Sequence, residues 1–321
     1  MAGDRTRPGE FALIDRHFRP LAGEGAFGLA DDAALVAPRP GEEIVVTKDM
    51  IVEGVHFFPD DPPAAIAAKA LRVNLSDLAA KGAGPFGYFL GLGLRDGWTE
   101  DWVAAFAAGL AADQRTFGVA LLGGDTTRAG ERTIVSITAL GRLPAGTMVH
   151  RSGARPGDVV MVTGTIGDAA LALHQQKAGR LAPVALHRRF LYPEPRVALA
   201  PLVRRFAHAA MDVSDGLVGD LGHLCRASGV TVEIDAAAVP LSPDAAALID
   251  AEPALLATAL TGGDDYELLM AIAPADADAC AAAGTTVTPI GRIVAGEGPP
   301  TIRGHDGQPL HFQRSGFDHF A

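Results

Sequence analysis

Seven carboxylates stand in short motifs of small and apolar residues where a folding role for an acid is hard to find. They are Asp31 and Asp32 in LADDAAL, Asp49 in VTKDM, Asp77 in NLSDLAAKG, Asp125 in LLGGDTTR, and Asp212 and Asp215 in MDVSDGL. Acids gathered among apolar residues repel one another unless cations neutralise them, so their joint occurrence points to a site for several metal ions. Every candidate ligand is an oxygen, with no cysteine and no His-x-x-x-His spacing among them. The expected cation is therefore hard, and magnesium is the first choice. Singly, each acid has a plainer reading. Asp125 after Gly123-Gly124 suits a turn or a helix N-cap, and Asp215-Gly216 is a turn dipeptide able to cap a helix carrying Leu217, Leu221 and Leu224. Asp77 shares a helix face with Asn74 and Lys81, where a surface Asp77–Lys81 pair is the alternative. Asp49 and Thr47 fall on one face of an extended strand, with Lys48 on the other.

The apolar pattern supplies the elements that must carry these groups, and the acids are expected at strand ends and helix starts. A helical stripe (Phe11, Ile14, Phe18) ends near Pro20 and gives way to β-rich runs at Ala33 to Ala37, Ile44 to Thr47 and Val52 to Phe58. A long alanine-rich helix spans Pro62 to Lys81. It is followed by a strand at Phe86 to Leu94, a helix from Thr99 to Phe117, and strands at Val119 to Leu122 and Thr133 to Leu143. This half reads as α+β. The turn-rich run RSGARPGD then precedes a strand at Val159 to Thr163, which puts a domain boundary between 143 and 144. Beyond it, strands at Val230 to Ile234, Leu268 to Ile272 and Thr286 to Ile290 alternate with helices as an α/β domain.

Composition narrows the function classes. The 38 acidic against 27 basic side chains leave a net charge of -11, which disfavours nucleic acid and anionic lipid as partners. A polyanionic substrate would need metal ions to bind. Cys225 and Cys280 form no CxxC, so neither a disulfide framework nor a thiolate zinc site is expected. No apolar run is long enough to span a bilayer and the N-terminal residues hold no apolar signal segment, which predicts a cytoplasmic protein with no membrane partner. Gly23 to Gly28 matches G-x-G-x-x-G, but it follows a helix, opens none, and carries Glu24 where pyrophosphate would lie. It is expected to be a loop. No Walker or protein-kinase motif occurs, so any ATP would be held by another architecture.

Taken together, FALIDRHF, LADDAAL, VTKDMIVEGVHF, KALRVNLSDLAAKGA, LLGGDTTR, RSGARPGD, VTGTIGDAA, MDVSDGLVGDLGHL and TGGDDYEL resemble the thiamine-monophosphate kinase family in order and spacing, from about Gly9 to Phe320. The resemblance implies an aminoimidazole ribonucleotide synthetase-like two-domain fold: an α+β N-terminal domain (1–143) that binds ATP and magnesium and pairs into a homodimer, then an α/β C-terminal domain (144–321). It implies transfer of phosphate from ATP, the co-substrate, to thiamine monophosphate, the last step of thiamine diphosphate biosynthesis, assisted by several magnesium ions. Such chemistry suits the acids independently, because a phosphate monoester is already a dianionic nucleophile near neutral pH and needs alignment and charge cancellation more than a strong base.

By the same resemblance Asp32, Thr47, Asp49, Asp77, Asp125 and Asp212 correspond to metal ligands and Asp215 to a further metal position, with Asp49, Asp77, Asp125 and Asp212 at the catalytic centre. Gly124, Asp125, Arg151 and Ser214 correspond to nucleotide contacts, and His56, Asp264 and Phe317 to contacts with the thiamine phosphate. The chain departs from the family pattern at Ala30, Lys48, Asp264 and Phe317. The alternatives are another ATP-using enzyme of the superfamily and a noncatalytic nucleotide-binding regulator. Selenophosphate synthetase is disfavoured because no cysteine precedes Cys225, and a regulator would be expected to lose acids from the set.

Overall fold

The computed structural model describes residues 8–283 and 287–317. The chain divides into two compact units, Met1–Leu78 with Ala83–Gly146, and Ala79–Gly82 with Thr147–Ala321.

The first unit opens with helix α1 (Glu10–Leu13), which widens into a π-turn over Ile14–Phe18 and tightens to a 3₁₀ turn at Arg19–Leu21. Strand β1 (Glu42–Val52) leads through a turn to α2 (Pro63–Ala80), then β2 (Gly84–Arg95), α3 (Glu100–Phe117), β3 (Ala120–Gly130) and β4 (Ile134–Pro144). The strands form one sheet in the order β1-β4-β2-β3, antiparallel except for the β2–β3 pair joined by the α3 crossover. Thr99 caps α3 by accepting from Trp102 N, and Gly118 ends it in the left-handed conformation. A bidentate Arg72–Asp113 pair (2.8 and 2.7 Å), with Asp113 buried, fixes α2 against α3.

In the second unit, β5 (Val159–Thr163), α4 (Asp168–Lys177), α5 (Val184–Leu191), α6 (Ala200–Phe206), β6 (Ala207–Asp212), α7 (Leu217–Ser228), β7 (Thr231–Asp235), α8 (Pro243–Ala251), α9 (Leu255–Thr261), β8 (Leu268–Ile272), α10 (Ala277–Ala281), β9 (Val287–Val294) and β10 (Thr301–Arg303) follow in turn. Their sheet runs β10-β7-β9-β5-β8-β6, with β10–β7 parallel and the other pairs antiparallel. It has a core cluster on each face. Val162, Leu221 and Ile290 belong to one, and Met161, Val203 and Met270 to the other.

Several sequence expectations change. Ala33 to Ala37 is not a strand; Leu35 N donates to Gly25 O, and the run follows the Gly23 to Gly28 loop instead of joining a sheet. Val52 to Phe58 is also not a strand, because β1 ends at Val52 and Gly54, at φ 80°, starts a turn closed by the Glu53–Phe57 bridge. Phe11, taken as part of the buried helix stripe, is 80% exposed, while Leu13 and Phe18 are buried. Asp49 and Asp125 lie within strands and Asp77 within a helix, so only Asp212 and Asp215 fit the expected strand-end and helix-start placement. Of the strand expected at Thr286 to Ile290, Thr286 lies outside the described residues and the rest is in β9.

Candidate functional site

Strand alternation puts Thr47 and Asp49 on one face of β1. Opposite them on α2 stand Asn74 and Asp77, one turn apart. Thr47 Oγ1 donates to Asp77 Oδ2, and Asn74 Oδ1 accepts from the main-chain N of Asp49 at 3.0 Å. Asn74 is fully buried and anchored by donating from Nδ2 to Ala70 O. The strand and helix thus present Thr47, Asp49 and Asp77 as a local set of oxygen donors. Lys48 points to the other face and donates to Ser136 Oγ, as the alternation requires.

A second group surrounds a cavity of about 330 Å³ in the same unit. Its lining combines apolar side chains, among them Ile14, Phe18, Leu29 and Leu90, with Asp31, Asp32, Gly123, Gly124 and Asp125. The π-turn brings Ile14 and Phe18 to this lining. Gly123-Gly124-Asp125 is not a turn but continues β3 beside β2, with Gly124 opposite Leu90 and Asp125 opposite Gly91. A Cβ at Gly124 would fall onto the Leu90 carbonyl oxygen, so glycine is required by the strand pairing itself. The cross-strand row Gly124, Leu90, Ile137, Asp49 runs the full width of the sheet, which sets Asp49 and Gly124 at opposite edges.

His56 stands apart from both groups, in the turn after β1. Val52 N donates to its Nδ1 (3.1 Å), which makes Nδ1 an acceptor and leaves Nε2 as the nitrogen that carries the proton in the neutral ring. Lys69, buried on α2, holds the turn by donating to His56 O at 2.9 Å.

In the second unit the motifs MDVSDGL and TGGDDYEL and the residues before Phe317 meet. Asp264 N donates to Ser214 O (2.8 Å) and Phe317 N to Asp215 O (2.9 Å). Gly263 and Gly316 make these approaches possible, since a Cβ on either would strike the Ser214 or Asp215 carbonyl. Asp264 (φ 65°) and Tyr266 (φ 53°) occupy the left-handed region, and Tyr266 Oη donates to Asp264 Oδ1 at 3.0 Å. Non-glycine residues held there store strain of about 1 kcal/mol or more each, a feature that gathers at binding sites. The adjoining Asp265 and Glu267 have other duties. Asp265 is buried and accepts from Gly167 N, and its burial pushes the carboxyl well above the usual range. Glu267, fully buried, pairs with Arg189 and Arg196.

Asp212 ends β6 and Asp215 precedes α7. Sequence reasoning passed over their neighbour Asp220, which is buried and receives Ser214 N and Asp215 N. Its signal was an acid on the apolar face of a helix, among Leu217, Leu221 and Leu224. Burial, then the charges of Asp215 and Asp212, hold the Asp220 carboxyl well above the usual range. Burial, then the charges of Arg226 and Arg151, hold the His223 imidazole below its usual range, and Asp215 opposes them.

Among the described residues, no three His, Cys, Asp or Glu side chains converge as a ready-made metal cage. The donor sets nonetheless suit magnesium, which keeps several waters and is commonly held by one or two carboxylates together with substrate phosphates. The crowding of Asp212 and Asp215 onto Asp220 is the kind of like-charge stress that a bound cation relieves.

Two family models match the chain, AIR synthase related protein, N-terminal domain, over residues 30–143, and its C-terminal domain over 155–301. The chain is 46% identical over 301 residues to the thiamine-monophosphate kinase of Caulobacter vibrioides, covering 91% of this chain and 86% of that protein. It is 40% identical over 326 residues to the Salmonella typhimurium thiamine-monophosphate kinase, covering 98% of each. The crystal structure of thiamine-monophosphate kinase from Stenotrophomonas maltophilia superposes with a TM-score of 0.83 at 41% identity, covering 94% of this chain and 98% of that one. AaThiL complexed with AMPPCP and TMP follows at 0.78 and 32%, covering 97% of both chains. The hydrogenase maturation protein HypE in complex with ATP, at 19% identity and a TM-score of 0.81, shares the fold.

Proposed function

The chain belongs to the thiamine-monophosphate kinase family, and from that premise we propose that it transfers the γ-phosphoryl group of ATP directly to the phosphate of thiamine monophosphate, giving thiamine diphosphate and ADP. The observation that carries this reading is the cavity lined by apolar side chains together with Gly123, Gly124 and the acids Asp31, Asp32 and Asp125. Such a lining suits a nucleotide whose base packs on apolar side chains and whose phosphates are held through cations at the acids. Asp32, Thr47, Asp49, Asp77, Asp125, Asp212 and Asp215 would hold magnesium, which supplies charge cancellation between the two phosphate groups. Gly124, Asp125, Arg151 and Ser214 are assigned to ATP, and His56, Asp264 and Phe317 to thiamine monophosphate. The division at 143/144 into an ATP-binding, dimerising domain and a C-terminal domain belongs to the same reading, as does a cytoplasmic location. No helix among the described residues is long and apolar enough to cross a membrane.

His56 is assigned to position the acceptor phosphate so that one of its oxygens faces the γ-phosphate. That oxygen attacks the γ-phosphorus as the bond to the β,γ-bridging oxygen breaks and ADP leaves. Ping-pong chemistry is not required, because the attacking oxygen is already anionic. With ATP chiral at the γ-phosphorus, thiamine diphosphate should form with inverted configuration. Retention, or radiolabel trapped on the protein after ATP alone, would overturn direct transfer.

The decisive assay measures ADP release with and without thiamine monophosphate. Release should depend on the acceptor, stop in excess EDTA, and return with magnesium or manganese but not zinc. Release without the acceptor would favour another ATP-using activity of the superfamily, and ATP binding without turnover a regulator.

The proposed homodimer is supported by the outward face of β1, an edge strand, where Val46 is 59% and Met50 50% exposed. Sedimentation should give a dimer at assay concentration; a monomer that turns over at the full rate would refute it.

A further inference from the structure

We propose that Asp220 is a positioning residue that clamps the main chain of Ser214 and Asp215 and so sets where Asp264 and Phe317 present themselves to substrate. The inference deepens the proposed kinase reading and rests on its assignment of those residues. Asp220 Oδ2 accepts from Ser214 N and from Asp215 N, both at 3.0 Å, and the side chain is only 1% exposed. Other main-chain groups of the loop are bonded as well. Val213 N donates to Glu267 O, Val213 O accepts from Tyr266 N, Ser214 O from Asp264 N, Asp215 O from Phe317 N, and Gly216 O from Asp220 N. Ser214 N and Asp215 N go instead to the Asp220 side chain.

This is not ordinary helix capping. In a capping box the third helical residue reaches back to the N-cap N–H. Gly216 is the N-cap of α7, so Asp220 is the fourth helical residue, and it reaches past the cap to the two residues before it. The carboxylate thus ties the first turn of α7 to the loop, whose carbonyls in turn receive the N–H groups of the two substrate-side residues. A shift of the loop moves Ser214, Asp215, Asp264 and Phe317 together.

The clamp needs an acceptor at the right reach, and its charge is secondary. Asp220→Asn keeps an acceptor oxygen in place, Asp220→Glu keeps charge and acceptors but displaces them by a methylene, and Asp220→Ala removes them. Misplacement of about 1 Å can cost about 10²-fold in rate, so we expect kcat/KM for thiamine monophosphate to fall by about 100-fold in Asp220→Ala, about 10-fold in Asp220→Glu and less than about fivefold in Asp220→Asn. Hydrogen exchange at the Ser214 and Asp215 amides should accelerate in Asp220→Ala, at a temperature where circular dichroism shows the folded protein, and stay slow in Asp220→Asn. The proposal is overturned if folded Asp220→Ala keeps the KM and kcat of the unchanged chain, or if Asp220→Asn is impaired more than Asp220→Glu. Should Asp220→Ala fail to fold, the Asn and Glu variants alone decide the order. If the unchanged chain does not phosphorylate thiamine monophosphate, the kinase reading fails, and the exchange rates still test the clamp.

Discussion

Asp49→Ala is expected to lower turnover by on the order of 10³-fold or more while leaving the fold intact, a loss comparable to removing a principal charge-stabilising group in phosphoryl transfer. The expectation rests on how Asp49 is built in. Its strand position is secured by main-chain bonds, including the one from its own N to Asn74 Oδ1, and none of these needs the carboxylate. Removing the side chain therefore subtracts a donor from the Thr47, Asp49 and Asp77 set without unpinning β1. Asp125→Ala should behave alike, because β3 is held by main-chain pairing with β2. Steady-state kinetics together with circular dichroism checks the pair. Near-normal turnover in both variants would make these acids structural and leave the metal reading without its ligands.

Glu267→Ala is expected to have the largest effect on stability, about 3–5 kcal/mol, seen as a lower midpoint in thermal or urea unfolding. The fully buried carboxylate accepts from Thr163 Oγ1 (2.6 Å), Arg189 Nη2 (2.7 Å) and Arg196 Nε (2.6 Å). Thr163 Oγ1 in turn receives Leu268 N at 2.8 Å, so the network fastens β8 to β5. Truncation strands two guanidinium groups in a poorly solvated place, which costs more than the bonds themselves. An unchanged midpoint would show that water or a rearranged Glu194, already 3.3 Å from Arg189, replaces the lost partner.

The contrast between these two acids shows what could be read from the chain alone. The strands around Ile137 and Leu268 and the helices α2 and α3 were legible because their apolar residues recur at one period and their ends carry ordinary punctuation, such as Thr99 and Gly118. The same-face placement of Thr47 with Asp49, and of Asn74 with Asp77, follows from those periods. That the two pairs meet does not, since it depends on α2 lying across β1. The plainer reading of Gly123-Gly124 as a turn fails, because the small residue is demanded by the Leu90 carbonyl of a neighbouring strand. Ala33 to Ala37 misled in the opposite sense, for its composition suits a strand but it finds no place in the sheet. Asp220 was invisible as a clamp because its partners are main-chain amides, which carry no residue type.

The division of the chain has a consequence for how such proteins can be recombined. The second unit owns Ala79–Gly82, the tail of α2 and the turn after it, and Ala79 and Ala80 are part of its core with Met161 and Val203. The units are therefore interleaved and not strung end to end. A gene cut at Gly146 would yield a downstream fragment missing a piece of its own interior, although the piece is only four residues long. A chimera between relatives would have to transplant those residues with the downstream half, and lineages that exchanged the halves by a single crossover would inherit mismatched interiors.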